Sequence, residues 1–78
     1  MLTVYYVSWC PICTKAINFI RDKRLRHKLV NVDDFNGKDK VFRLLKNNTD
    51  MEKSHKTVPA IFHNGKFIGG CEELLKIF

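Results

Sequence analysis

Cys10-Pro11-Ile12-Cys13 is the stretch that most narrows what this chain can become. Two cysteines at this spacing can close a small disulfide, and each can reach the sulfur that the other releases. The flanking residues fix where the pair sits. Leu2 to Val7 is rich in β-branched and aromatic types and reads as a buried strand. Beyond the pair, Cys13, Ala16, Ile17 and Ile20 recur at i, i+3, i+4 and i+7, the apolar stripe of an amphipathic helix. Pro11 then falls in the first turn, where its missing N–H costs nothing. Cys10 is left just ahead, facing unpaired backbone N–H groups and the positive end of the helix dipole. Such a position favours thiolate over thiol, and the thiolate is the attacking species. A CxxC on a strand–helix–strand pattern reads as an intracellular redox motif.

Composition sets outer bounds. At 78 residues the chain is expected to be one domain, 1–78, near the size at which a single core is only marginally stabilising. Apolar residues make up 45%, which argues against disorder, and three cysteines are too few for a secreted disulfide scaffold. No apolar run approaches the roughly 20 residues of a spanning helix, and no leader is visible. The expected location is therefore cytoplasmic, with no membrane partner. A net charge of +6 admits an acidic partner, a nucleic acid, or solubility alone. The densest basic run, Arg21 to Lys28, is expected at the end of the first helix, where cations complement the negative pole. No stacking aromatics interleave with those charges, so no nucleic-acid partner is expected.

The rest of the chain follows in short elements. Leu29 to Val32 is the expected second strand, closing a βαβ unit with a right-handed crossover. Asp33, Asp34 and Asn36 offer turn and N-cap chemistry. Val41, Leu44 and Leu45 mark the inner face of a second helix ending near Asn47 and Asn48. Asn47-Asn48-Thr49 has the form of a glycosylation sequon, unused without export. Thr49 and Glu52 match a capping box, yet Met51 is the only apolar residue from Thr49 to Lys56, so a surface loop is expected. Thr57-Val58-Pro59 stands at a strand entrance, where proline is tolerated and its bond is trans or cis. Ala60 to Phe62 and Lys66 to Ile68 flank Asn64-Gly65, the two-residue signature of a type I′ hairpin. Gly69-Gly70 stops that strand. Cys71 to Phe78 reads as a short helix with Leu74, Leu75 and Phe78 on one side, and Glu72 and Glu73 at its positive end.

On this β-α-β-α-β-β-α frame, three motifs resemble those of a glutaredoxin: Cys10-Pro11-Ile12-Cys13, Thr57-Val58-Pro59 and Gly69-Gly70-Cys71-Glu72-Glu73. The resemblance covers essentially the whole chain. It implies an α/β thioredoxin fold, a four-stranded mixed sheet flanked by helices, and a glutathione-dependent thiol–disulfide oxidoreductase. By that resemblance Cys10 is the nucleophile and Cys13 the resolving thiol. The implied glutathione-binding residues are Pro11, Ile12 and Lys15 beside the cysteines, Thr57 and Val58 beside a cis-Pro59, and Gly70, Cys71 and Glu72. Val58 offers its backbone to the cysteinyl part of glutathione, and the start of the last helix holds the γ-glutamyl end. A carboxylate suits free helix N–H groups, and glycines allow close backbone approach. Glu72 or Glu73 either receives the ligand's ammonium group or simply complements the dipole.

No bound cofactor or metal is implied, glutathione being a co-substrate. The implied partners are glutathione and disulfide-containing or glutathionylated proteins, with ribonucleotide reductase one that the family admits, and the implied state is a monomer. Cys71 is expected to act through its backbone. Two positions depart from the family's habit: Ile12 stands where tyrosine is common, and Val7 where lysine is common. Lys15 either replaces that cation or is a solvated helix lysine. Trp9 before Cys10 is more reminiscent of thioredoxin. Other readings are a thioredoxin-like hydrogen donor reduced by a flavoprotein reductase, or a metal module. The latter draws on Cys10, Cys13, Cys71 and His55 or His63 for zinc, or on a bridged iron–sulfur cluster between two copies.

Overall fold

Period-two alternation along the first strand decides which helices lie on which face. In the computed structural model, which describes residues 1–78, that strand is β1 (Leu2–Tyr6). It is followed by α1 (Pro11–Asp22), β2 (His27–Asn31), a 3₁₀ turn (Val32–Phe35), α2 (Lys38–Asn48), β3 (Ala60–His63), β4 (Lys66–Gly69) and α3 (Cys71–Ile77). The sheet order is β2-β1-β3-β4, with β1 parallel to β2 and antiparallel to β3, and β3 antiparallel to β4. The expected frame, three helices about a four-stranded mixed sheet, is the one observed.

Leu2 and Val4 of β1 and Ile61 of β3 pack with Ala16, Ile17 and Ile20 of α1 and Leu74 of α3. Ala60 and Phe62, alternate residues of β3, pack instead with Val41 and Phe42 of α2 and with Val32 and Met51. Tyr5 meets Phe62 edge-on at 5.7 Å. Full burial of each such large side chain stabilises by about 1.5–3 kcal/mol, so the two clusters carry most of the favourable term.

Several expected boundaries move, each for a local reason. The basic run does not extend α1, because Arg24 takes a left-handed φ of 55° and ends the helix. Its N–H reaches the Arg21 carbonyl and that of Leu25 reaches Ile20, a Schellman closure that leaves only Arg21 in the last turn. Lys28 lies within β2, which starts at His27 rather than Leu29. Asn31, not an aspartate, caps the 3₁₀ turn by accepting the Asp33 N–H at 3.0 Å. The cap residue of α2 is Gly37, not Asn36. On α2 the buried residues are Val41 and Phe42, and Leu44 is 54% exposed. Leu44 lies about 200° around the helix from Phe42, so seating the larger ring turns the leucine outward. Leu75 likewise faces solvent, because the short α3 touches the core through Leu74.

The 49–59 segment is a loop as expected, but a fastened one. Thr49 Oγ1 donates to the Leu45 carbonyl, Asp50 Oδ1 accepts the Phe67 N–H at 2.9 Å, and Met51 is buried. The hairpin has positive φ at both Asn64 (51°) and Gly65 (84°), the requirement of a type I′ turn.

Candidate active site

β1 delivers the chain to the head of α1, where Cys10 is the N-cap with extended backbone (φ −94°, ψ 114°) and Pro11 opens the helix. The Cys13 N–H donates to Cys10 Sγ at 3.2 Å. A sulfur thus does the capping that an oxygen of Ser, Thr or Asp usually does. No acidic residue stands in the first turn of α1. Cys10 is 8% exposed and Cys13 only 1%, so the first cysteine is the more accessible. Burial, and then its hydrogen bond with the Cys10 sulfur, push the Cys13 thiol up to about 12 from an ordinary value of 9.0. At neutral pH Cys13 is therefore a protonated thiol. Trp9 and Ile12 flank the pair and are 76% and 57% exposed. Val7 is buried in the cluster that holds both cysteines.

The second motif meets the first through Val58, which packs against that same cluster. The Val58–Pro59 bond is cis. Behind it, a ring nitrogen of His55 (Nε2) lies 3.3 Å from the Pro59 carbonyl, and the imidazole sits edge-on to Phe67 at 5.0 Å. From the sequence, His55 is legible only as a loop residue or a zinc candidate. Nothing in its spacing announces the contact, which depends on how the loop folds over α2 and β4.

The third motif is built around Glu73. Its Oε1 accepts the Gly70 N–H at 2.8 Å, and that bond holds the carboxyl below its ordinary range. Gly69 makes room: at a φ of +122°, a Cβ there would lie 2.6 Å from Glu73 Oε1. Glu73 is thus occupied as a cap, which favours dipole complementarity over the ammonium role for this glutamate. Gly70, expected with Cys71 and Glu72 to hold the γ-glutamyl end, has its own N–H engaged by Glu73. The N–H groups of Cys71 and Glu72, at the first two positions of α3, have no intrahelical acceptor. A Cβ on Gly70 would sit 3.4 Å from the Pro59 carbonyl, so the second and third motifs touch.

Pro11, Ile12, Thr57 and Glu72 are exposed around the motifs. Lys15, one turn into α1, is exposed too, and its charge opposes the upward push of burial on the Cys71 thiol. All three cysteines are free and buried. The residues considered for zinc are not brought together: no group of three or more His, Cys, Asp or Glu is arranged to hold a metal. His63 instead packs edge-on to Phe78 at 5.1 Å.

The glutaredoxin family model matches residues 2–68, ending just before Gly69. A probable glutaredoxin of Acanthamoeba polyphaga mimivirus is 36% identical over 77 residues, covering 94% of this chain and 73% of that protein. Glutaredoxin 1 of Rickettsia conorii is 29% identical over 76 residues, 97% of this chain and 70% of its own length. Among solved structures, a dithiolic glutaredoxin of Trypanosoma brucei brucei has a TM-score of 0.79 at 29% identity, over 97% of this chain and 74% of that one. A buckwheat glutaredoxin–glutathione complex shares the fold, with a TM-score of 0.74 at 24% identity over 96% and 64%.

Proposed function

This chain belongs to the glutaredoxin family and is a thiol–disulfide oxidoreductase, and from that premise we propose that it is glutathione-dependent and works through a Cys10/Cys13 dithiol. The observation that carries the reading is the Cys13 N–H aimed at Cys10 Sγ at the head of α1, above a neutral Cys13.

Cys10 thiolate attacks one sulfur of a disulfide, forming a mixed disulfide and releasing the other sulfur as a thiolate that takes a proton from solvent. For a protein disulfide, Cys13 loses its proton and attacks Cys10 Sγ. The reduced protein leaves and Cys10–Cys13 is oxidised. One glutathione then opens that disulfide by forming a mixed disulfide with Cys10, and a second removes it as glutathione disulfide. For a glutathionylated substrate, Cys10 takes the glutathionyl group and passes it to a second glutathione without Cys13.

The proposed glutathione site runs along the three motifs. Val58 beside cis-Pro59 receives the cysteinyl backbone, with Thr57, Pro11 and Ile12 at its edges. The N–H groups of Cys71 and Glu72 receive the γ-glutamyl carboxylate, Gly70 contributing room rather than a donor. Lys15 is the proposed cation in place of a lysine at Val7. A reducing compartment, the cytoplasm, suits three free thiols.

The test is a coupled assay of glutathione mixed-disulfide reduction with glutathione reductase and NADPH. Turnover is expected for the wild type and not for Cys10→Ser. Re-reduction by thioredoxin reductase but not by glutathione would replace this reading with that of a thioredoxin-like donor.

A further inference from the structure

A cleft of about 520 Å³ runs between α2 and the 49–59 loop, and five of its eight lining residues are cationic, the others being Asp39, Phe42 and Asn47. Lys38, Arg43 and Lys46 project from α2, Lys53 and Lys56 face them from the loop, and Asp39 is the single acid. The walls are tied together where Lys38 Nζ donates to the Lys56 carbonyl at 2.6 Å. We propose that this cleft docks an acidic, extended segment of the protein whose disulfide is reduced, a partner class that rests on the oxidoreductase reading above.

Three features select that occupant. Lys38 to Lys46 spans about 12 Å of helix, the reach of roughly four extended residues. Side chains of an extended strand alternate, so successive carboxylates meet first the α2 row and then the loop row. A lone carboxylate is satisfied by one or two cations, whereas five converging here match a run of acids. The floor is Phe42, only 3% exposed, so no ring is available to stack a nucleic-acid base. The cleft also adjoins the second motif along the chain: Lys56, on its wall, directly precedes Thr57-Val58-Pro59.

The other basic surface, with Arg21, Arg24 and Arg26, lies at the far end of α1 and serves as the control. A fluorescent, cysteine-free peptide with a run of consecutive Glu residues is titrated by anisotropy against the intact chain, beside its Gln counterpart. The Glu peptide should bind at least about tenfold tighter at low salt, and the difference should collapse near molar salt. Arg43→Glu with Lys46→Glu should remove the difference, while Arg24→Glu with Arg26→Glu should leave it in place. If the first double variant loses its circular dichroism signal, Lys53→Glu in the loop makes the same measurement. Equal binding of the two peptides, equal loss in both double variants, or tighter binding of a single-stranded oligonucleotide than of the Glu peptide would overturn the proposal. Disulfide peptides with Glu or Gln tails complete the experiment. A kcat/KM preference for the Glu tail supports docking, and equal rates overturn it. Reduction of neither would count against the oxidoreductase reading, and the anisotropy titration would still decide the docking.

Discussion

The starts of α1 and α3 carry the same kind of positive pole and use it in opposite ways. At α1 the cap is a sulfur, and the first turn contains no carboxylate. At α3 the first turn contains Glu72 and Glu73, and Glu73 bends back to take the Gly70 N–H. A helix pole is available to a reacting anion only where the sequence withholds its own. The chain withholds it beside Cys10 and supplies it beside Cys71, a thiol that burial pushes upward. On this comparison α1 is the reactive start and α3 the stabilised one.

The largest expected effect separates the two sulfurs of α1. Cys10→Ser should abolish both protein-disulfide and mixed-disulfide reduction, because no other thiol caps a helix. Cys13→Ser should lose the first activity and keep much of the second. Comparable loss of mixed-disulfide turnover in both variants would break the assignment.

The same pair gives a pH dependence. Cys13 ionises near 12 in the folded, reduced protein, against an ordinary 9.0. Its raised value contributes stability that is fully present below about 9 and is lost as pH rises through about 12. Denaturant midpoints of the reduced protein should therefore fall across that window, and Cys13→Ala should flatten the fall. A profile identical in the variant would mean that burial of this thiol is not what the alkaline limb reports.

A carboxylate placed where the chain withholds one should blunt the reactive start. Ile12 is exposed in the first turn of α1, so Ile12→Glu competes with Cys10 for the pole without disturbing the core. Helix-end charges are typically worth about 0.3–1 kcal/mol, which corresponds to roughly two- to fivefold. Alkylation of Cys10 in the Cys13→Ser background should slow by about that factor, and Ile12→Gln should not slow it.

Local chemistry made much of this legible in the sequence. The Cys13/Ala16/Ile17/Ile20 stripe, the Asn64-Gly65 turn and the strand before Cys10 are set by periods and dihedral preferences within a few residues, and all three stand as expected. What depends on contacts between elements was not legible. Phe42 displaces Leu44 from the α2 interface because a ring fills the space under the loop, where it meets the tilted His55 imidazole. Met51 looked like a stray apolar residue and is a core plug. His55 against the Pro59 carbonyl joins the loop to the second motif with no signal along the chain. The Glu73 cap does have a signal along the chain. Gly70 and Glu73 have the N-cap-to-N3 spacing of a capping box, hidden because glycine replaces the usual hydroxyl residue.

That cap gives the smallest expected effect and the sharpest view of α3. Glu73→Gln keeps the shape and removes the charge that accepts the Gly70 N–H, so about 0.5–1 kcal/mol should be lost at pH 7. For a chain of this length that is a fall of roughly 2–8 °C in Tm. The sign with pH follows from the lowered carboxyl. The contribution is present above the ordinary 4.5 and is lost as pH falls through the lower folded value, so wild type and variant should converge in acid. Gly69→Ala should cost more, since its φ of +122° strains any side chain and its Cβ would meet Glu73 Oε1 at 2.6 Å. Because both changes disrupt one bond, Gly69→Ala with Glu73→Gln should cost less than the two losses added. Additive losses would show that Gly69 is required for its backbone alone and that the capping carboxylate does not depend on it.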